Sequence, residues 1–229
     1  MTPQYSPNLH YTKQPLLTHQ TPVIFYNNAS KKPKVKKERN NAIKCVIVGD
    51  KEVGKTALAV SYSNDTFPSQ YVPTAYDNYN VEVQVDGKPI RLELCDTAGE
   101  DDFNPLRNLC YPGTDVFMLC FSVVKPTSFL SACTRWADEL ARYHDAAVVL
   151  VGTQSDLQNN TEIIQGLRLR RQRPVRPSEA RQLADRLNAP YVETSAKTCQ
   201  HLKEAFDQAI MLALKKNKKR KPWRKLCCF

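Results

Sequence analysis

No stretch of this sequence approaches the ~18 consecutive apolar residues that a membrane-crossing helix requires. The longest apolar runs, around Phe117–Val124 and Ala146–Val151, are strand-sized. The start, Met1-Thr2-Pro3-Gln4-Tyr5, has no apolar core behind a basic segment, so no secretory signal is read there. None of the eight cysteines forms a Cys-x-x-Cys pair, and Cys45, Cys95 and Cys120 lie in strand-like runs. That usage fits reduced, buried thiols and not a disulfide framework, with Cys227 and Cys228 as the exception. The four histidines (His10, His19, His144, His201) fall in no motif, so acid–base catalysis by imidazole is not implied. No internal repeat is present. The length, 229 residues, suits one well-buried domain plus tails.

Acidic residues are nearly absent from both ends. Residues 1–41 carry a net charge of +6 and residues 215–229 a net +8, leaving −4 for the middle out of a total of +10. A mildly acidic body with two basic tails argues against nucleic acid as partner and for tails that seek an anionic membrane. Residues 1–41 also hold five prolines and the block Lys31-Lys32-Pro33-Lys34-Val35-Lys36-Lys37. Such a segment cannot bury enough surface to offset its ordering entropy and reads as a disordered extension.

Periodic structure begins after Asn41. Val81, Val83 and Val85 alternate with polar residues, Asp86-Gly87 signals a hairpin, and Ile90, Leu92 and Leu94 alternate again. Strand-like Val116–Val124, Ala147–Gly152 and Tyr191–Glu193 then take turns with helical Thr127–Tyr143, Ser178–Leu187 and Leu202–Leu214. This order implies an α/β fold: a mostly parallel, doubly wound six-stranded sheet with one antiparallel edge strand. The site should then form from loops at the C-terminal strand ends.

The run Gly49-Asp50-Lys51-Glu52-Val53-Gly54-Lys55-Thr56 follows the apolar stretch Ile43–Val48 and opens into Ala57–Val60. Strand, glycine loop and helix in that order are what a Walker A phosphate loop requires. Gly49 and Gly54 let successive N–H groups converge as an anion nest at a helix N-terminus. Lys55 adds a point charge for the β- and γ-phosphates, and the Thr56 hydroxyl can ligate Mg²⁺. Asp96-Thr97-Ala98-Gly99 follows the strand Arg91–Cys95, where a Walker B acid holds Mg²⁺, usually through water. Thr153-Gln154-Ser155-Asp156 follows the next-to-last strand, and a carboxylate there can accept two N–H bonds from guanine, which adenine cannot supply. Ser195-Ala196-Lys197 follows the last strand and can close over the base. Singly each motif is weak, since an Asp after a strand is more often a turn residue. Four in this order are specific.

With these residues the chain resembles a Ras-superfamily small GTPase, a P-loop NTPase G domain, over roughly residues 42–214. Tyr71-Val72-Pro73-Thr74-Ala75-Tyr76-Asp77-Asn78-Tyr79 is similar to the Rho effector loop, and Leu157–Pro177 fills the place of the Rho insert. Val151–Leu157 and the ending Trp223-Arg224-Lys225-Leu226-Cys227-Cys228-Phe229 look like the atypical Wrch/Chp subgroup. The resemblance implies GTP or GDP with Mg²⁺ as cofactors, hydrolysis of GTP, and a monomer. It implies that Thr74 ligates Mg²⁺ and senses the γ-phosphate, that Phe67 stacks edge-on against guanine (the plain alternative being a core residue), and that Gly99 swings toward the γ-phosphate. It also implies effector kinases and actin regulators of Rho type that read Tyr71–Tyr79, with exchange factors as further partners.

Three departures from the family bear on mechanism. Lys51 stands where most members have a second loop glycine, filling the space through which an activating protein inserts its arginine finger. Glu100 stands where the family has the water-orienting glutamine; a carboxylate accepts hydrogen bonds but donates none, so hydrolysis should be altered. Lys51 and Glu100, of opposite charge, are expected to pair across the γ-phosphate; Lys51 as a finger mimic in cis is disfavoured because an ammonium lacks the fork geometry of Arg. Gln154 replaces a lysine that many relatives place along the base, which should speed exchange. A switch biased to the GTP form follows, with a non-hydrolysing GTP-bound membrane scaffold as the alternative.

A Cys-a-a-X ending would need Cys at 226, where Leu226 stands, so prenylation is not supported. Cys227 and Cys228 beside the basic run Lys215–Lys225 suit S-palmitoylation with a polybasic second signal, at the cytoplasmic face of plasma membrane and endomembranes. The prolines at 3, 7, 15, 22 and 33 never fall in a Pro-x-x-Pro frame. Arg168, Arg170, Arg171 and Arg173 make the insert basic, a charged face or a lipid contact.

Overall fold

The computed structural model describes residues 42–70 and 75–220. Its centre is a six-stranded sheet: β1 (Ala42–Val48), β2 (Tyr76–Val85), β3 (Lys88–Thr97), β4 (Val116–Ser122), β5 (Ala147–Thr153) and β6 (Tyr191–Glu193). The strand order is β2-β3-β1-β4-β5-β6. Only β2 and β3 pair antiparallel; β1, β4, β5 and β6 join their neighbours in parallel. The hairpin turns at Asp86-Gly87, with φ of 50° and 71°, the pair of positive angles that a tight hairpin turn with the right twist demands. All seven residues of β4 are buried, as expected for a strand covered on both faces.

Alternate side chains of β1 feed two cores. Cys45 and Ile47 face α1 (Lys55–Asn64) and α7 (Leu202–Arg220), and the ring of Tyr62 stacks on Phe206 with centroids 3.8 Å apart. Val46 and Val48 face the other way, into a cluster with Phe117, Phe121, Trp136 and Leu183. After β3 come a 3₁₀ turn, Asp101–Phe103, and α2 (Asn104–Cys110). α5 (Thr161–Leu169) lies within the insert, and α6 (Pro177–Arg186) follows it. The chain visits one side of β1 first and then the other, so the sheet's switch point lies at the end of β1, where the phosphate loop begins.

Two expected boundaries are corrected. The helix read over Thr127–Tyr143 is not continuous: α3 (Pro126–Ser131) passes through a π-helical turn, Ala132–Trp136, into α4 (Ala137–Ala141). The last helix does not stop at Leu214 but runs to Arg220, because Lys216 reaches back to the carbonyls of His144 and Ala146 at 2.7 and 2.8 Å. Cys45, Cys95 and Cys120 are buried free thiols, and burial pushes the thiol of Cys120 up to about 12. Among the described residues no helix is long and apolar enough to cross a membrane. The N-terminal extension and the cysteine pair Cys227 and Cys228 lie outside the described residues.

Candidate functional site

Gly49 leaves β1 at a φ of 141°, and a Cβ there would stand 2.1 Å from the Cys120 carbonyl oxygen. Any side chain would push the loop off β4. The chain then passes exposed Lys51, Glu52 at φ 64° and Gly54 at φ 85° before α1 starts at Lys55. Left-handed backbone is costly for a residue with a side chain, so the turn at Glu52 must be held. Gln154 Nε2 donates to the Glu52 carbonyl at 3.3 Å, while Lys125 Nζ donates to the Glu52 carboxylate at 3.0 Å and to the Lys51 carbonyl at 3.2 Å. Lys125 also holds the Glu52 carboxyl below its usual range. Ser122 Oγ donates to Gln154 Oε1 at 2.5 Å, fixing the amide that braces the loop.

Lys55 is 7% exposed, and its ammonium donates to the Asp50 carbonyl at 2.8 Å. Burial pulls its pKa below the ordinary amine value, against the opposing pull of Asp96. Asp96 is fully buried and accepts the Thr56 hydroxyl at 2.5 Å on Oδ2. Its Oδ1 has no hydrogen-bond partner among the described residues, and burial lifts the carboxyl to about 6. A buried ammonium and a neighbouring buried carboxylate with an unpartnered oxygen, both disfavoured in their charged forms by burial, complement a phosphate carrying a divalent cation. The donor set therefore fits a Mg²⁺–nucleotide. Thr74, read as a further metal ligand, lies outside the described residues together with Tyr71, Val72 and Pro73.

The loop after β3 abuts the phosphate loop. A Cβ on Gly99 would lie 2.4 Å from both Asp50 C and Lys51 N, so this position tolerates glycine alone. Glu100 follows Gly99 on this abutting turn, and among the described residues no ion pair joins it to Lys51. Ala98 is buried and its N–H donates to the Ala75 carbonyl at 3.2 Å. Tyr76, Asp77, Asn78 and Tyr79 open β2, the edge strand, and Ala75–Asn78 are exposed.

A cavity of about 250 Å³ adjoins Gly54, lined by Leu58, Phe67, Gln154, Asp156 and Lys197 among others. Phe67 is 49% exposed, which removes the core alternative for that ring. Ser195, buried, donates its hydroxyl to Asp156 Oδ1 at 2.7 Å and so aims the carboxylate, while Ala196 joins the wall. Two residues read as ligand contacts have their hydroxyls engaged by the fold. Thr97 donates to the Ile47 carbonyl at 2.8 Å, and Thr153 Oγ1 lies 2.5 Å from the Val53 carbonyl and 2.9 Å from that of Phe121. Buried hydroxyls need such partners, and here two strand carbonyls and one of the phosphate loop supply them.

The family model "Ras family" matches residues 44–215. Rho-related GTP-binding protein RhoV from Rattus norvegicus is 46% identical to this chain over 204 residues, covering 82% of this chain and 86% of the relative. The Mus musculus and Homo sapiens RhoV proteins give the same figures. The chain is a Rho-family small GTPase. Ras-superfamily GTPases bind guanine nucleotide, typically with Mg²⁺, and hydrolyse GTP. In this Rho-family chain the four motifs read from the sequence converge at the C-terminal ends of the parallel strands. Ser122, Lys125, Arg107 and Trp136 were not singled out from the sequence. Lys125 alone carried a signal, a strand-end lysine ahead of Pro126.

Proposed function

We propose that this chain is a GTP-driven switch biased toward its GTP form, signalling through Rho-type effector kinases and actin regulators to the cytoskeleton and cell polarity. The observation that carries the bias is the contact of Gly99 with the Asp50–Lys51 peptide, which brings Lys51 and Glu100 onto abutting turns where an arginine finger and a catalytic glutamine act in the family. The Gly49–Thr56 loop with Lys55 would hold the phosphates. Thr56, Thr74 and Asp96 would hold Mg²⁺, whose charge offsets that of the phosphates. Asp156, with Phe67, Ala196 and Lys197, would take guanine. An exposed Lys51 at the loop supports steric loss of the activating protein's finger, a step worth about 10³–10⁵ in rate. Glu100 cannot donate to an attacking water as a glutamine amide does.

Single-turnover hydrolysis of Lys51→Gly, Glu100→Gln and the double variant, each with and without a Rho activating protein, tests this. Restored stimulation in Lys51→Gly is expected. If neither single change restores a response, the steric reading is wrong. Wild-type protein that keeps GTP unhydrolysed for hours would favour the scaffold reading.

The basic residues 215–225 support attachment to an anionic membrane together with acylated Cys227 and Cys228, each Lys or Arg near such a surface contributing ~1 kcal/mol. A hydroxylamine-sensitive label that survives Cys227→Ser with Cys228→Ser would refute acylation there.

A further inference from the structure

Trp136 lies far from every sequence motif, yet its indole N–H donates to Asp50 Oδ1 of the phosphate loop at 2.7 Å. The ring is fully buried and sits in the π-helical turn Ala132–Trp136. A π-turn shifts the register of the following side chains, and such turns are frequent at functional sites. Arg107 of α2 stacks its guanidinium over the same ring, 4.7 Å from the centroid. That guanidinium donates to the carbonyls of Ala98 at 3.0 Å and Glu100 at 3.2 Å, the two residues flanking Gly99. Glu139, one turn beyond Trp136, accepts from Arg107 at 3.0 Å and from Tyr111 at 2.6 Å, so the arginine is held on both sides. Arg135 covers the ring as well, at 4.5 Å, and pairs with Asp101 at 2.5 Å. One indole thus grips both loops that meet at Gly99: the phosphate loop directly, and the Ala98–Asp101 loop through two arginines.

Resting on the switch reading above, we infer that Trp136 is a positioning residue that couples the phosphate loop to the Ala98–Asp101 loop, so that the two open together. Burial makes the coupling strong. The indole N–H has a carboxylate as partner, a charge-assisted bond, and Arg107 is 1% exposed. A plain packing role would need the ring but not its N–H.

Trp136→Phe keeps an aromatic ring for the arginines and removes the donor. Amide hydrogen exchange on the GDP-loaded full chain should speed up by about tenfold or more at both Lys51–Val53 and Ala98–Asp101, as losing one bond to a charged group implies. Asp50→Ala breaks the same bond from the other side. Its effect on the Ala98–Asp101 amides should match that of Trp136→Phe, and the double variant should add nothing further. Acceleration confined to the phosphate loop, or in neither loop, overturns the coupling. Should Trp136→Phe fail to fold, Asp50→Ala alone carries the same two-loop test. No turnover is needed: absence of GDP binding by the wild type would sink the switch reading, and the exchange comparison would still be made on nucleotide-free protein.

Discussion

Thr56 donates its hydroxyl to Asp96 Oδ2 at 2.5 Å, and the other oxygen of that carboxylate stays without a partner in a fully buried position among the described residues. Two motifs forty residues apart in the sequence thus meet at one buried carboxylate.

With Asp96 as the proposed Mg²⁺ ligand, metal binding is expected to depend on pH. Burial raises the Asp96 carboxyl to about 6, above its ordinary value. The ion-free folded protein therefore binds that proton more tightly than the unfolded chain does. That contribution to stability is full in acid and is lost as pH rises through about 6. Mg²⁺ needs the ionised form and must displace the proton. Its affinity should fall below this transition, approaching about tenfold per pH unit, and level off above it. Magnesium-dependent GDP dissociation, followed between about pH 5 and about pH 7.5, gives the profile; a flat one refutes the assignment.

Lys55→Met should separate stability from binding. In the nucleotide-free site burial of the Lys55 ammonium outweighs the pull of Asp96, so the thermal midpoint of nucleotide-free protein should hold or rise. Nucleotide affinity should drop by about 2–5 kcal/mol, the cost of losing one partner of a buried charge pair. Calorimetric titration with GDP and a thermal melt report the two effects side by side.

At Gly99, alanine should fail by geometry alone. Its Cβ would meet three backbone atoms of the phosphate loop at 2.4–2.5 Å, none of which can rotate away. Forced displacement of this kind costs about 1–3 kcal/mol. A lowered melting temperature together with faster GDP release is expected, and an unchanged release rate would count against the contact.

Gln154→Ala removes both the acceptor of the Ser122 hydroxyl and the donor to the Glu52 carbonyl. At about 0.5–1.5 kcal/mol per bond, GDP dissociation should accelerate about tenfold. Ser122→Ala should give a smaller rise in the same direction. If Ser122→Ala leaves the rate untouched, the brace does not act through the amide.

The strands and their order of appearance were legible because buried parallel strands leave apolar runs and the β2–β3 hairpin leaves a period of two around Asp86-Gly87. The π-turn before α4 was not. It preserves helical composition, and its cause is tertiary: the indole of Trp136 reaching Asp50, 86 positions away. The end of α7 was missed for a related reason. A run of lysines reads as a solvated tail, and only packing reveals that Lys216 finds backbone carbonyls before β5.

For the candidate site, the residues that bend backbone or carry charge (Gly49, Gly54, Lys55, Asp96 and Asp156) were legible as candidates. The hydroxyls of Thr97 and Thr153 could not be apportioned between ligand and fold, since both uses suit the same residue type.

Sequence alone decided the order of the strands and the glycine loop ahead of α1, because local conformational demands and hydrophobic period are written residue by residue; α2 and α5 were not read from it. Tertiary structure alone decided which groups are buried with unspent charge, and that Trp136, Arg107, Lys125 and Ser122 hold the loops. Burial and long-range hydrogen bonds arise only when distant segments meet, and no local pattern records which partner each will find.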